Sequence, residues 1–190
     1  TNGAIDSAEA AVLASPRDAG YRAVLGNAYL QAGRFEAAAT SYEDARALGD
    51  GSARTALSLA LAKIGGGKGD EALTALELFD FELEAGDLGL AVSLAGDPRG
   101  GIQILTSALR TGGSTAKLRQ NLAYSYALAG QWREARLMAA EDVPADQVGK
   151  RMAQWAQTAR PDLVRHRVAA LIDVPVVADP GQPQQLALRN

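Results

Sequence analysis

Apolar residues recur along this chain at spacings of three and four, the period of helices with one buried face. Ala4, Ile5, Ala8, Ala11, Val12 and Leu13 predict a short amphipathic helix over 4–14, stopped by Ser15-Pro16. Asp18 stands as the N-cap of a second helix, which runs to about Ala32 and breaks at Gly33. A third follows from Phe35 to Leu48 and ends at Gly49-Asp50-Gly51. Near the other end, Val143-Pro144-Ala145-Asp146 opens a helix reaching about Thr158, with Met152, Trp155 and Ala156 on one face. Pro161 suits the first turn of one more helix, to about Ile172. From Asp173 onward the prolines Pro175, Pro180 and Pro183 and the Gln pair predict an extended or disordered tail.

The helical pattern also repeats at long range. Leu25 and Leu59, Ala38 and Ala72, Leu88 and Leu122, and Gly96 and Gly130 are each 34 residues apart. Inside the first helix of each unit stands Leu25-Gly26, Leu59-Ala60, Leu88-Gly89 or Leu122-Ala123. The second helix opens on Ala38, Ala72, Gly101 or Ala135. Small residues at fixed places let antiparallel helices cross closely. Two departures stand out. The step from Leu59 to Leu88 is only 29, so the array is compressed somewhere in 76–87. Gly65-Gly66-Gly67-Lys68-Gly69 predicts a loose, weak joint, because glycine loses the most freedom on ordering.

A 34-residue helix–turn–helix period is the tetratricopeptide signature, and on these residues the chain resembles tetratricopeptide-repeat (TPR) proteins. The resemblance implies an all-α, right-handed α-solenoid of about four repeats over 18–142. A half repeat would precede it at 1–17, capping helices would follow at 143–173, and a tail would close the chain at 174–190. Family ligand contacts come from the first helix of each unit and line a concave groove. Carried over, they fall on Asn27 and Leu30 in the first unit and on Arg54, Leu57, Leu61 and Ile64 in the second. The third unit offers Leu83, Leu90 and Leu94, the fourth Lys117, Gln120 and Tyr124. The middle of this groove is apolar, which suits either a partner's helix or extended peptide, or a covering segment of the same chain. A C-terminal-carboxylate clamp like that of chaperone-binding TPR domains is disfavoured, because Ala23, Leu57 and Ser58 stand where basic or polar groups are needed.

Composition narrows the partner. With 19 basic and 22 acidic residues interspersed and a net charge of −3, nothing points to a nucleic-acid partner, which needs a basic surface. There is no Cys, hence no thiolate chemistry, and no apolar run of about 18 residues to span a membrane. Candidate chemistry is thin. Lys68 in its glycine run lacks the Ser or Thr and the preceding strand of a phosphate loop. His166, the sole histidine, has no acid–base partner in the pattern. Glu77, Asp80, Glu82, Glu84 and Asp87 lack calcium-loop spacing and read as a solvated face. No cofactor, metal or catalytic residue is expected, and the function implied is a non-enzymatic protein-interaction scaffold. The segments LGNAYLQAGRFEAA, LAYSYALAGQWREA and MAQWAQTARP are similar to the TPR lipoproteins of the tight-adherence (Flp) type IV pilus system. That likeness implies a protein held by an upstream lipid anchor on the periplasmic side of the outer membrane, partnering a pilus or secretin component. A cytoplasmic TPR adaptor and a homo-oligomeric structural module are the alternatives.

Overall fold

The computed structural model describes residues 2–79 and 82–188. Among them the chain is all-α, with eleven α-helices, two 3-10 turns and no β-strand. The helices are α1 (Asn2–Ala14), α2 (Ala19–Gln31), α3 (Phe35–Ala47), α4 (Ala53–Gly65), α5 (Gly69–Glu77) and α6 (Ala85–Ala95). They continue as α7 (Pro98–Gly112), α8 (Ala116–Leu128), α9 (Trp132–Ala139), α10 (Ala145–Thr158) and α11 (Val164–Leu171). From α1 to α10 each helix packs on the next in chain order, and α2, α4, α6 and α8 also touch in succession, so they share one face.

The turns explain the pairing. After α2, α4, α6 and α8 the chain reverses through Gly33, Gly67, Gly96 and Gly130, all at positive φ between 74° and 115°. At each, the following amide donates back to Tyr29, Lys63, Val92 or Tyr126, and the glycine N–H donates to Leu30, Ile64, Ser93 or Ala127. That double bond is the Schellman closure, which satisfies carbonyls a helix end leaves free. The glycine run at 65–69 therefore forms the same tight turn as the other three, in place of the loose joint the sequence suggests. Its extra glycines answer to packing: a Cβ on Gly65 would meet the Phe35 ring at 2.6 Å, and one on Gly69 the Ala95 carbonyl oxygen at 2.1 Å.

Equivalent positions share equivalent surroundings. Leu25, Leu59, Leu88 and Leu122 are all buried, and so are Ala38, Ala72, Gly101 and Ala135. Gly26 lies under the Tyr42 ring and Gly89 under Leu105, where a Cβ would come within 2.7 and 2.6 Å. Burying a leucine contributes about 1.5–3 kcal/mol, against about 1 kcal/mol for a helix cap. Packing of these faces, more than local propensity, holds the hairpins together. The compression falls at α5, nine residues long where α3 has thirteen. Beside it on α4, Lys63 stands where the first and last units carry Tyr29 and Tyr126. Buried, it bonds Glu43 of α3 at 2.5 Å and Glu71 of α5 at 2.6 Å. Burial alone would lower its pKa, but the two carboxylates outweigh it and raise the ammonium above its usual range.

The last quarter of the chain departs from the expected pair of end caps. Only α10 covers the final hairpin, packing on α8 and α9. The chain then turns back through Pro161–Leu163, and α11 lies against α4 with Val168 and Ala169 buried. Arg165 of α11 reaches Glu36 of α3 and stands over the Phe35 ring. Beyond Asp173 the segment is extended, and it is anchored along α3. Its Pro175 carbonyl sits beside Gly33, Gln182 accepts from Ser41 at 2.7 Å, and a 3-10 turn at Gln184–Leu186 packs on α1. Leu186 is buried. Its carbonyl, with that of Pro16 and the Asp44 carboxylate, receives the guanidinium of Arg22, itself 0% exposed.

Asp179 supplies what α3 lacks. Arg34, the N-cap of α3, offers no side-chain cap, and the Asp179 carboxylate accepts instead from the Ala37 N–H at 2.9 Å. Burial pushes the Asp179 pKa up, but the N–H groups of Ala37 and Gly181 and the Arg34 charge prevail and hold it below the ordinary carboxylate range. A folded pKa below the unfolded one means a contribution that is full above the unfolded value, near 4. It is lost as pH falls through the folded value. Asp179→Asn should cost about 1 kcal/mol at pH 7. In urea titrations the difference from wild type should shrink below about pH 4; a pH-independent difference would reject the capping role.

Candidate functional site: a basic cleft between α8, α10 and α11

Because α10 leaves the last hairpin and α11 returns to α4, the two helices bracket the shared face at α6 and α8. Between them lies a cleft of about 530 Å³, within the usual size of ligand sites. One wall is Leu90 of α6 with Gln120, Asn121 and Tyr124 of α8; the other is α10 and α11. The Tyr124 and Trp155 rings meet at 5.1 Å between centroids, tilted by 36°. Arg151 stands 5.8 Å over the Trp155 ring and donates to the Gln120 side chain at 3.2 Å. Trp155, Leu90, Ala170 and Leu171 give the cleft an apolar side.

Its electrostatics are one-sided. Among the described residues two arginines, Arg151 and Arg167, line the cleft and no carboxylate does. Arg167 is 7% exposed. Its Nη1 donates to the carbonyls of Thr158 and Ala159 at the end of α10, at 3.3 and 3.1 Å, while its Nε has no hydrogen-bond partner. Burial pulls the Arg167 pKa down, against a smaller opposing pull from Tyr124. Tyr124 is pushed up chiefly by its own burial, with Arg167 and Thr158 opposing.

Three of the residues expected to contact a ligand, Leu90, Gln120 and Tyr124, come together in this cleft. The others are placed differently. Leu30, Ile64 and Leu94 are enclosed in the core, and Leu57 and Leu61 are half-buried and packed against it. Leu83 lines a separate hollow with Leu88 and Ile104. The Asn27 side chain accepts from the Tyr42 hydroxyl at 2.7 Å. Arg54 is exposed. Lys117 pairs with Asp87 at 2.8 Å and Glu84 at 3.0 Å, and these carboxylates raise its pKa. Of the acidic group, Asp80 lies outside the described residues. Among those residues no three His, Asp or Glu side chains stand together as metal ligands. Sequence reasoning missed Arg151 and Arg167. The helix periods predict α10 and α11, but not that α10 packs on α8 while α11 turns back onto α4.

Comparison with protein families, curated proteins and solved structures found no match.

Proposed function

We propose that the chain is a right-handed α-solenoid of about four TPR units acting as a non-enzymatic scaffold, which receives a protein or peptide on the face shared by α2, α4, α6 and α8. One observation carries this reading: that face is covered by α11 at α4 yet left open at α6 and α8, as a cleft with aromatic, apolar and cationic walls. Such a mixture of apolar area and a few convergent polar groups is what recognition sites present. Among the described residues the cleft has no carboxylate, histidine or thiol to act as base or nucleophile, which favours binding over catalysis. The setting proposed, on the likeness of the repeats to tight-adherence pilus lipoproteins, is the periplasmic side of the outer membrane, in assembly of the pilus secretin.

The experiment is co-purification with the secretin of such a system, comparing wild type, Leu90→Glu and the exposed-site variant Gln154→Glu. Wild type should retain the secretin. Both variants should lose at least tenfold in affinity, a change of about 1.4 kcal/mol, with unaltered helical circular dichroism. Undiminished capture by both variants would remove the cleft as the binding site.

A further inference from the structure

We propose that the cleft between α8, α10 and α11 selects a carboxylate carried beside an apolar or aromatic group, with Arg167 as its charge partner and Arg151 at the rim. The inference deepens the reading of this face as a binding face and rests on it. It starts from an imbalance. The chain as a whole is net negative, yet this cleft has two guanidinium groups on its wall and no acid.

Among the described residues the two other buried cations are matched: Arg22 has Asp44, and Lys63 has Glu43 and Glu71. Of the partly buried ones, Arg119 has Asp142, while Arg46, whose Nη1 also lacks a hydrogen-bond partner, stands over the Phe79 ring. Among the described residues, Arg167 is buried with no carboxylate within ion-pair distance. An ionised group taken out of water without a counter-charge is costly, and a fixed donor fork suits a planar carboxylate. Capping α10 accounts for Nη1 and leaves Nε without a partner. Arg151 needs no counter-ion for its own solvation, being half-exposed. It is held over Trp155 and tied to Gln120, which keeps a second cation at the mouth.

The other wall selects what the carboxylate is attached to. Leu90, Trp155, Ala170 and Leu171 form an apolar surface in the same cavity. A ligand that places a carboxylate and an apolar body within about one residue's length meets both walls. The C-terminal residue of a peptide and a free aryl or alkyl carboxylic acid share this chemistry. The site differs from the family positions carried over above. Asn27 and Lys117 are bonded to Tyr42 and to Glu84 and Asp87, and both arginines here follow the repeats.

The test uses four probes on the full chain: 3-phenylpropionate, 3-phenylpropanamide, and acetyl-Ala-Ala-Phe with a free or an amidated C-terminus. Binding is followed by the indole N–H signal of Trp155, with Trp132 on α9 as internal reference. The free acids should move the Trp155 signal saturably, and the amides should bind at least tenfold more weakly. Arg167→Gln and Arg151→Gln should each weaken the acids by tenfold or more and leave the amides unchanged. Arg151 is only partly buried and has neutral partners, the Gln120 side chain and the Trp155 ring, so its variant keeps the test valid if Arg167→Gln fails to fold. A peptide acid binding more tightly than 3-phenylpropionate identifies a chain terminus as the source, and equal binding identifies a free acid; either supports the proposal. Acids and amides binding alike, or no probe moving Trp155, overturns it. Secretin captured through the cleft while none of the acids binds would leave the scaffold reading standing without the carboxylate.

Discussion

Arg22→Leu is expected to cost about 3–5 kcal/mol of folding stability, the range for removing one partner of a buried ion pair. Arg22 joins three separate parts of the chain. Its donors reach the Pro16 carbonyl before α2, Asp44 on α3 at 2.5 Å, and the Leu186 carbonyl at 2.6 Å. Leucine fills part of the volume but leaves two carbonyls and a largely buried carboxylate without their donor. Asp44 already titrates above its usual range, because burial outweighs the pull of Arg22. Without Arg22 it should rise further. A folded carboxyl with a raised pKa binds the proton more tightly than the unfolded one, so stability falls as pH climbs through that interval. The deficit of Arg22→Leu should therefore be largest at neutral pH and narrow toward pH 4 in urea titrations. Adding Asp44→Leu should recover more than half of it. A single variant within about 0.5 kcal/mol of wild type, the usual scatter of surface changes, would show that the cluster holds nothing together.

The second large effect comes from a matched pair of glycines. Gly33 and Gly130 occupy the same place in the first and last tight turns, with φ of 74° and 75°. Alanine at either must adopt a left-handed backbone, at about 1–2 kcal/mol. At Gly130 nothing lies within 4 Å of the new Cβ, whereas at Gly33 it would stand 2.0 Å from the Pro175 carbonyl oxygen. That overlap forces the C-terminal segment off α3, taking with it the Asp179 cap and the Arg22–Leu186 bond. Gly33→Ala should thus cost about 2 kcal/mol more than Gly130→Ala, within the range for overpacking. It should also make residues 174–188 readily cleaved by protease, while Gly130→Ala leaves them resistant. Equal losses and equal cleavage would mean that the segment contributes nothing to this turn.

These two sites mark where the sequence could and could not be read. The hairpins were legible because their cause is local and periodic. Leu25, Leu59, Leu88 and Leu122 recur with small neighbours, and the turn glycines keep step with them. Asp18 was legible as a cap because its carboxylate reaches only to Tyr21. The function of Arg22 was not legible, since its partners are 22 and 164 residues away, and no local pattern marks an arginine as buried. The tail was legible as extended or disordered, but its docking on α3 was not, for a related reason. Pro175, Pro180 and Pro183 cannot donate backbone hydrogen bonds, which suits a disordered chain and equally one laid extended on a helix with side chains as its anchors. The cleft was half legible: Leu90, Gln120 and Tyr124 follow from their place in the units. Arg151 and Trp155 face them because α10 packs on α8, and Arg167 because the chain doubles back at Pro161.

The bond from Arg22 to Leu186 has a consequence for biosynthesis. An open array can settle unit by unit as it leaves the ribosome, each needing only its neighbour. Here the guanidinium of the earliest hairpin has Pro16 and Asp44 to hand, but it lacks its third acceptor until Leu186 has been translated and has docked. Nascent chains stalled before Leu186 has left the ribosome should populate an incompletely closed first hairpin, and emergence of that residue should be the event that locks it.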